Sequence, residues 1–240
     1  MPADSAIRAI LVDRLAAIES RIAAACQRAN RERSSVALVA VTKTVSPQVA
    51  SLLPELGLLD LGENRPQELW RKAEALPDPR IRWHFIGHLQ RNKVERTLPH
   101  VCLFHTVDSQ RLLEEIASAG TKAEIRPQVL LQINASREEQ KHGFDFDEVV
   151  HLQESLIRRG VDAIGLMGMA AYADDPERAR PAFRELRELR DRLRTDWGDL
   201  GQKLHHLSMG MSGDFEVAIE EGATIVRIGS TLFDGLETEA

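Results

Sequence analysis

"LHHLSMGMSGDFEVAIEEGATIVRIGS", residues Leu204–Ser230, holds one whole folding unit. An apolar strand-like run, Leu204–Met209, meets a loop of glycine and serine. A short helical segment follows, with Asp214 placed to cap it and Gly222 placed to stop it. A second apolar run, Thr224–Ile228, then gives way to Gly229 and Ser230. Apolar strands joined through a helix imply parallel pairing, with the helix covering the outer face of the sheet.

The same alternation runs back through the chain. Strand-like runs lie at Val36–Val41, Leu58–Leu61, Ile81–Ile86, Val101–Val107, Gln128–Ile133 and Val161–Met167, with helical patterns between them. Eight such units predict an α/β fold, a (β/α)8 TIM barrel over residues 36–233. An open doubly wound sheet would call for a glycine fingerprint after the first strand, and none is there. An extra N-terminal helix is expected over residues 4–30, capped by Asp4 or Ser5, with Ile7, Ile10, Leu11, Leu15, Ile18 and Ile22 at helical spacing. No long linker interrupts the pattern, so residues 1–240 are expected to form a single domain.

Composition narrows the function classes. A net charge of -6 gives no reason to expect a nucleic-acid or anionic-membrane partner. The Arg-rich stretch "PERARPAFRELRELRDRLRTDWG" alternates its signs, which fits a solvated helix face laced with ion pairs. No run of about 18 apolar residues is present to span a membrane. Cys26 and Cys102 are far apart and form no metal or disulfide framework, so a reducing cytoplasm is the expected setting.

In such barrels the chemistry sits at the C-terminal ends of the strands. The first strand, "VALVAVTKTVSP" (Val36–Pro47), ends on Lys43. A lysine there can be a solvated strand end. A desolvated one can be a nucleophile toward a carbonyl. The loops after strands seven and eight, "LSMGMSGD" and "RIGSTLFDG", suit a phosphate cradle, although glycines there also make ordinary tight turns. Arg227 precedes Gly229 by two residues and can point into the barrel mouth. Strand eight closes against strand one, which brings Lys43 beside that loop. A lysine next to an anion site is what pyridoxal phosphate needs. A Schiff-base aldolase acting on a sugar phosphate is a competing reading of the same pair.

Other residues read more plainly. His84, between Trp83 and Phe85, is either a satisfied interior histidine or a proton-transfer group. His205 and His206 are adjacent on a strand, so they face opposite ways and cannot share a metal. Met167, Met169, Met209 and Met211 read as packing residues near the rim.

"AVTKTVSP", "LGENRPQEL", "WHFIGHLQRNK", "HTVDSQRL", "QINASREEQKHGF", "GLMGMA" and "LSMGMSGDFEVAIEEGATIVRIGS", taken together and in order, resemble the pyridoxal phosphate homeostasis proteins. The resemblance runs from about Val36 to Phe233. It implies a barrel like the N-terminal domain of alanine racemase, fold type III among pyridoxal phosphate proteins. It implies that Lys43 forms the internal aldimine and that Arg227 faces the pyridine nitrogen. Phosphate contacts carried over fall on Ser208, Gly229 and Ser230. Asn64 of "GEN" is implied near the ring, with His84 and Met209 beside it. The usual "GENYVQE" reads "GENRPQE" here, which leaves the roles of Arg65 and Pro66 open.

The implied function is intracellular pyridoxal phosphate homeostasis: the cofactor is held on Lys43 and buffered or delivered, with pyridoxal-phosphate-requiring apo-enzymes as recipients. An amino-acid racemase-like enzyme is the alternative. Fold type III racemases carry a second β-domain that supplies a catalytic group. Strand eight is followed closely by Ala240, so no second β-domain is expected, and with it no robust catalytic activity. A monomer is the expected state.

Overall fold

The structure, a computed structural model, describes residues 2–135, 142–158 and 160–236. Residues 136–141, inside the "QINASREEQKHGF" motif, and Ala240 lie outside the described residues. Eight parallel strands close in sequence order: β1 Ala37–Val41, β2 Asp60–Glu63, β3 Arg82–Phe85, β4 Leu103–Val107, β5 Gln128–Gln132, β6 Asp162–Met167, β7 His206–Ser208 and β8 Ile225–Ile228. The ring is completed by β1 against β8, in a register that pairs Val39 with Arg227. The expected (β/α)8 barrel is therefore present.

Eleven α-helices are present among the described residues: α1 Pro2–Arg28, α2 Pro47–Ala50, α3 Pro66–Ala75, α4 Val94–Thr97, α5 Gln110–Ala123, α6 Phe146–Val149, α7 Gln153–Arg158, α8 Arg180–Asp196, α9 Gly198–Gln202, α10 Phe215–Glu220 and α11 Ser230–Phe233. None is long and apolar enough to cross a membrane.

Strand alternation sorts the core into two shells. Val39, Leu103, Leu130, Met167 and Ile225 point into the barrel and form its interior cluster. Leu38, Ala40, Leu207 and Val226 point outward and pack under the helices. The N-terminal helix joins this outer shell. Leu11, Ile18 and Ile22 of α1 are fully buried where α1 meets α10 and α11. Burial of each such side chain stabilises by about 1.5–3 kcal/mol. Arg21 and Arg28 add ion pairs to Glu216 (3.0 Å) and Glu220 (2.6 Å) of α10.

Three local expectations need correction. Helix α1 starts at Pro2, so Asp4 and Ser5 lie within its first turn rather than capping it; Asp4 still favours the positive helix end. Strand β2 runs to Glu63 rather than stopping at Leu61, because Glu63 finds a partner in the core. Asp214 does not cap α10 through its side chain; its Oδ1 instead accepts from the Met211 N–H at 2.6 Å and closes the β7 loop. Gly222 does stop α10, at a φ of 100° that favours glycine. Pro54 does shorten the second helix: α2 ends at Ala50 and a separate 3-10 turn covers Pro54–Leu56.

Candidate functional site

A cavity of about 740 Å³ opens at the C-terminal ends of the strands. Lys43, Asn64, Arg227, Gly229 and Ser230 all line it. The β1 strand ends in a run too apolar to leave its pairing, so the first residues beyond it, Thr42 and Lys43, are aimed by the strand. Thr42 is fully buried and Lys43 is exposed into the opening. Among the described residues Lys43 makes no ion pair.

A buried triad fixes this strand end. Lys72 reaches from α3 and donates to Glu63 Oε1 and to the Thr42 carbonyl, both at 2.6 Å. Thr42 donates its hydroxyl to the same Glu63 oxygen at 2.5 Å. Lys72, Glu63 and Thr42 are all fully buried. Glu63 Oε2 has no partner among the described residues, so this carboxylate depends heavily on Lys72. The residues after Thr42 and Glu63 are Lys43 and Asn64, so the triad positions both. Gly87 backs Asn64 closely: a Cβ there would sit 2.0 Å from the Asn64 carbonyl oxygen. Thr106 donates to the Gly87 carbonyl and holds this layer from β4.

Arg227 forms part of the cavity floor. It is 4 % exposed and donates to Ser208 Oγ (2.5 Å), the Ser208 carbonyl (2.9 Å) and the Gly168 carbonyl (3.4 Å). Burial pulls its guanidinium down to about 10, and Asp214 partly offsets that, so it remains a cation at neutral pH.

Three expected contacts sit elsewhere. His84, Ser208 and Met209 are not among the residues lining the cavity. Met209 faces outward and packs in the shell between strands and helices. Ser208 and His84 face inward, one layer below the opening, in a chain of hydrogen bonds. His105 Nδ1 lies 2.8 Å from Ser208 Oγ, His84 Nδ1 lies 2.9 Å from His105 Nε2, and His84 Nε2 lies 3.0 Å from Asp60 Oδ1. Burial, with the charges of His84 and Arg227, holds His105 well below the usual histidine range, so it is neutral. In the tautomers that leave both rings uncharged, the ends dictate every proton. Arg227 can only donate and ionised Asp60 can only accept. In those tautomers Ser208 donates to His105, His105 to His84, and His84 to Asp60.

Burial opposes ionisation of Asp60, but hydrogen bonds from His84 and Arg82 overcome it and bring the carboxyl down to about 2. Its folded value lies below its unfolded one, so its stabilisation is present above the ordinary carboxylate range and is lost as pH falls toward about 2. Asp60→Asn is expected to be less stable than the parent at neutral pH, with the gap closing below about pH 5 in urea titrations.

Sequence reasoning missed Ser212, Lys72 and His105. Ser212 lines the cavity, and its hydroxyl accepts from the Thr231 N–H at 3.3 Å, which ties the β7 loop to the β8 loop. Strand alternation gives the signal: outward Leu207 puts Ser208 inside the barrel, and only residues beyond the turn at Gly210 can reach the rim.

Residues 14–236 match the family model "Alanine racemase, N-terminal domain". The pyridoxal phosphate homeostasis protein of Aquifex aeolicus is 46% identical over 222 residues, covering 92% of this chain and 96% of that one. A solved structure of an unknown protein from Bifidobacterium adolescentis superposes with a TM-score of 0.89 at 36% identity, covering 95% of this chain and 96% of that one. PipY of Synechococcus elongatus, solved with PLP bound, superposes with a TM-score of 0.80 at 29% identity, covering 93% and 99%. On these matches, and on the closed barrel, the chain belongs to the pyridoxal phosphate homeostasis protein family.

Proposed function

We propose that this chain binds pyridoxal 5′-phosphate in the cavity and buffers or delivers it to pyridoxal-phosphate-requiring apo-enzymes. The observation that carries this reading is one cavity lined by a primary amine, a buried cation and two hydroxyl-bearing loops. The donor set fits the group. Lys43 is the amine for the aldehyde. Arg227 would meet the ring nitrogen and, being cationic, would keep that nitrogen from gaining a proton. Ser212, Gly229 and Ser230 would hold the phosphate, and Asn64 would lie beside the ring. When bound, pyridoxal phosphate supplies an aldehyde that an amine captures reversibly, on a ring that can act as an electron sink.

The chain's own residues favour holding over turnover. A cation at the ring nitrogen weakens that sink. Racemase-like chemistry would also need a positioned acid or base on each face of the substrate. Three titratable groups lining the cavity are already engaged: His88 Nδ1 with Asp108 Oδ2 at 3.1 Å, and Asp214 with the Met211 N–H. Exposure of Lys43 to the opening leaves the amine reachable from solvent for both capture and release.

Borohydride reduction in the presence of pyridoxal phosphate, followed by peptide mapping, tests the assignment. The stable label is expected on Lys43. A label on another lysine, with Lys43 unmodified, would overturn it.

A further inference from the structure

Aldehyde capture makes no use of three side chains at the same opening. His88 follows β3, Asp108 follows β4, and His142 lies in the segment after β5; all three line the cavity. His88 Nδ1 and His142 Nδ1 both turn toward one oxygen, Asp108 Oδ2, at 3.1 and 3.8 Å. The three atoms all lie within 4.8 Å of one another. The Asp108 side chain is 7% exposed, whereas those of the two histidines are mostly open. The imidazoles stack, with centroids 4.4 Å apart and planes 19° apart.

A hydrogen bond explains His88 and not His142. At 3.8 Å the His142 nitrogen is beyond hydrogen-bond range of the carboxylate it points at. A shared cation explains both. Zinc binds nitrogen and oxygen at about 2.0–2.2 Å, which puts tetrahedral ligands about 3.3 Å apart. The observed separations bracket that spacing, so small side-chain rotations close the site. Two of the three ligands are also braced. Gln132 Nε2 donates to the His142 carbonyl at 2.8 Å, and Phe144 bridges back to β5. Asp108 directly precedes Ser109, whose side chain caps α5.

We propose that His88, Asp108 and His142 form a zinc site at the cavity mouth. Two imidazoles and one carboxylate select zinc over magnesium or calcium, which demand more oxygen ligands. Three protein ligands leave a fourth position for water or an oxygen donor of whatever fills the cavity. This site stands on its own ligands and does not depend on Lys43 capturing an aldehyde.

Calorimetric titration of chelator-stripped protein with zinc chloride tests it, with cobalt(II) visible absorption reporting ligand geometry. One equivalent is expected to bind. His142→Ala and Asp108→Asn should each weaken binding by more than about tenfold, since loss of even an outer-shell partner costs about 10–100-fold. His151→Ala should leave it unchanged. Because His142 is exposed, its replacement does not threaten the fold. Absence of stoichiometric binding, or equal affinity in folded His142→Ala and parent, would overturn the site. Pyridoxal phosphate loading, read separately by borohydride labelling, distinguishes failure here from failure of the capture function.

Discussion

Lys43→Ala is expected to abolish borohydride-stable labelling by pyridoxal phosphate completely, while measurable non-covalent binding survives. Among the described residues that line the cavity, Lys43 is the one primary amine, so no covalent capture there is expected to remain. The other contacts are untouched. Arg227 is held by Ser208 and the Gly168 carbonyl, independently of Lys43. The two phosphate loops are tied to each other through Ser212 and the Thr231 N–H. Loss of a charged contact costs about 1.5–3 kcal/mol, a roughly 10–100-fold weakening of what remains. Fluorescence titration with the cofactor and with inorganic phosphate measures it. If the variant binds neither, the loops around Ser212, Gly229 and Ser230 are not the anion cradle.

Lys72→Met is expected to destabilise the fold by about 3–5 kcal/mol, because it strands a buried carboxylate. Glu63 is fully buried, and one of its oxygens already lacks a partner among the described residues. Methionine fills the space of the lysine stem and brings no charge. The loss is a large share of a total stability of about 5–15 kcal/mol. Adding Glu63→Gln removes the stranded charge and should restore much of the loss. Urea midpoints of the parent, single and double variants measure both effects. A single variant as stable as the parent would show that the triad does not fix the ends of β1 and β2. The same variant should also slow capture at Lys43, since its neighbour Thr42 loses a hydrogen bond to its carbonyl.

The barrel was legible because eight apolar runs recur between helical patterns, and parallel strands buried on both faces leave that signal whatever their details. The rim was legible too: Lys43, Asn64, Arg227, Gly229 and Ser230 stand where strand ends must stand. Contacts deeper in the molecule were not. Lys72 occupies a helical position three residues after Leu69, and nothing in its neighbours separates a solvated lysine from a buried one. Its role exists only once Glu63 is brought to it from β2. Ser208 and Ser212 differ by four residues in one loop motif, and the inward turn of β7 decides which one meets the cavity. His105 reads as an ordinary strand residue until the barrel closes and sets His84 and Ser208 on either side of it.

The row of hydrogen bonds from Arg227 through Ser208, His105 and His84 to Asp60 crosses the barrel from its mouth to its base. With both imidazoles uncharged, all four bonds point the same way, so their dipoles add, and each polarises the next. Asp60 also holds Arg82, whose side chain is 55% exposed at the opposite pole. The barrel is thus wired end to end without a moving part. Neutralising the carboxylate at one pole weakens the acceptor that draws on the guanidinium at the other. A chromophore seated against Arg227 would change colour in response to an event on the far side of the molecule, which makes Asp60 a remote tuning point rather than a structural afterthought.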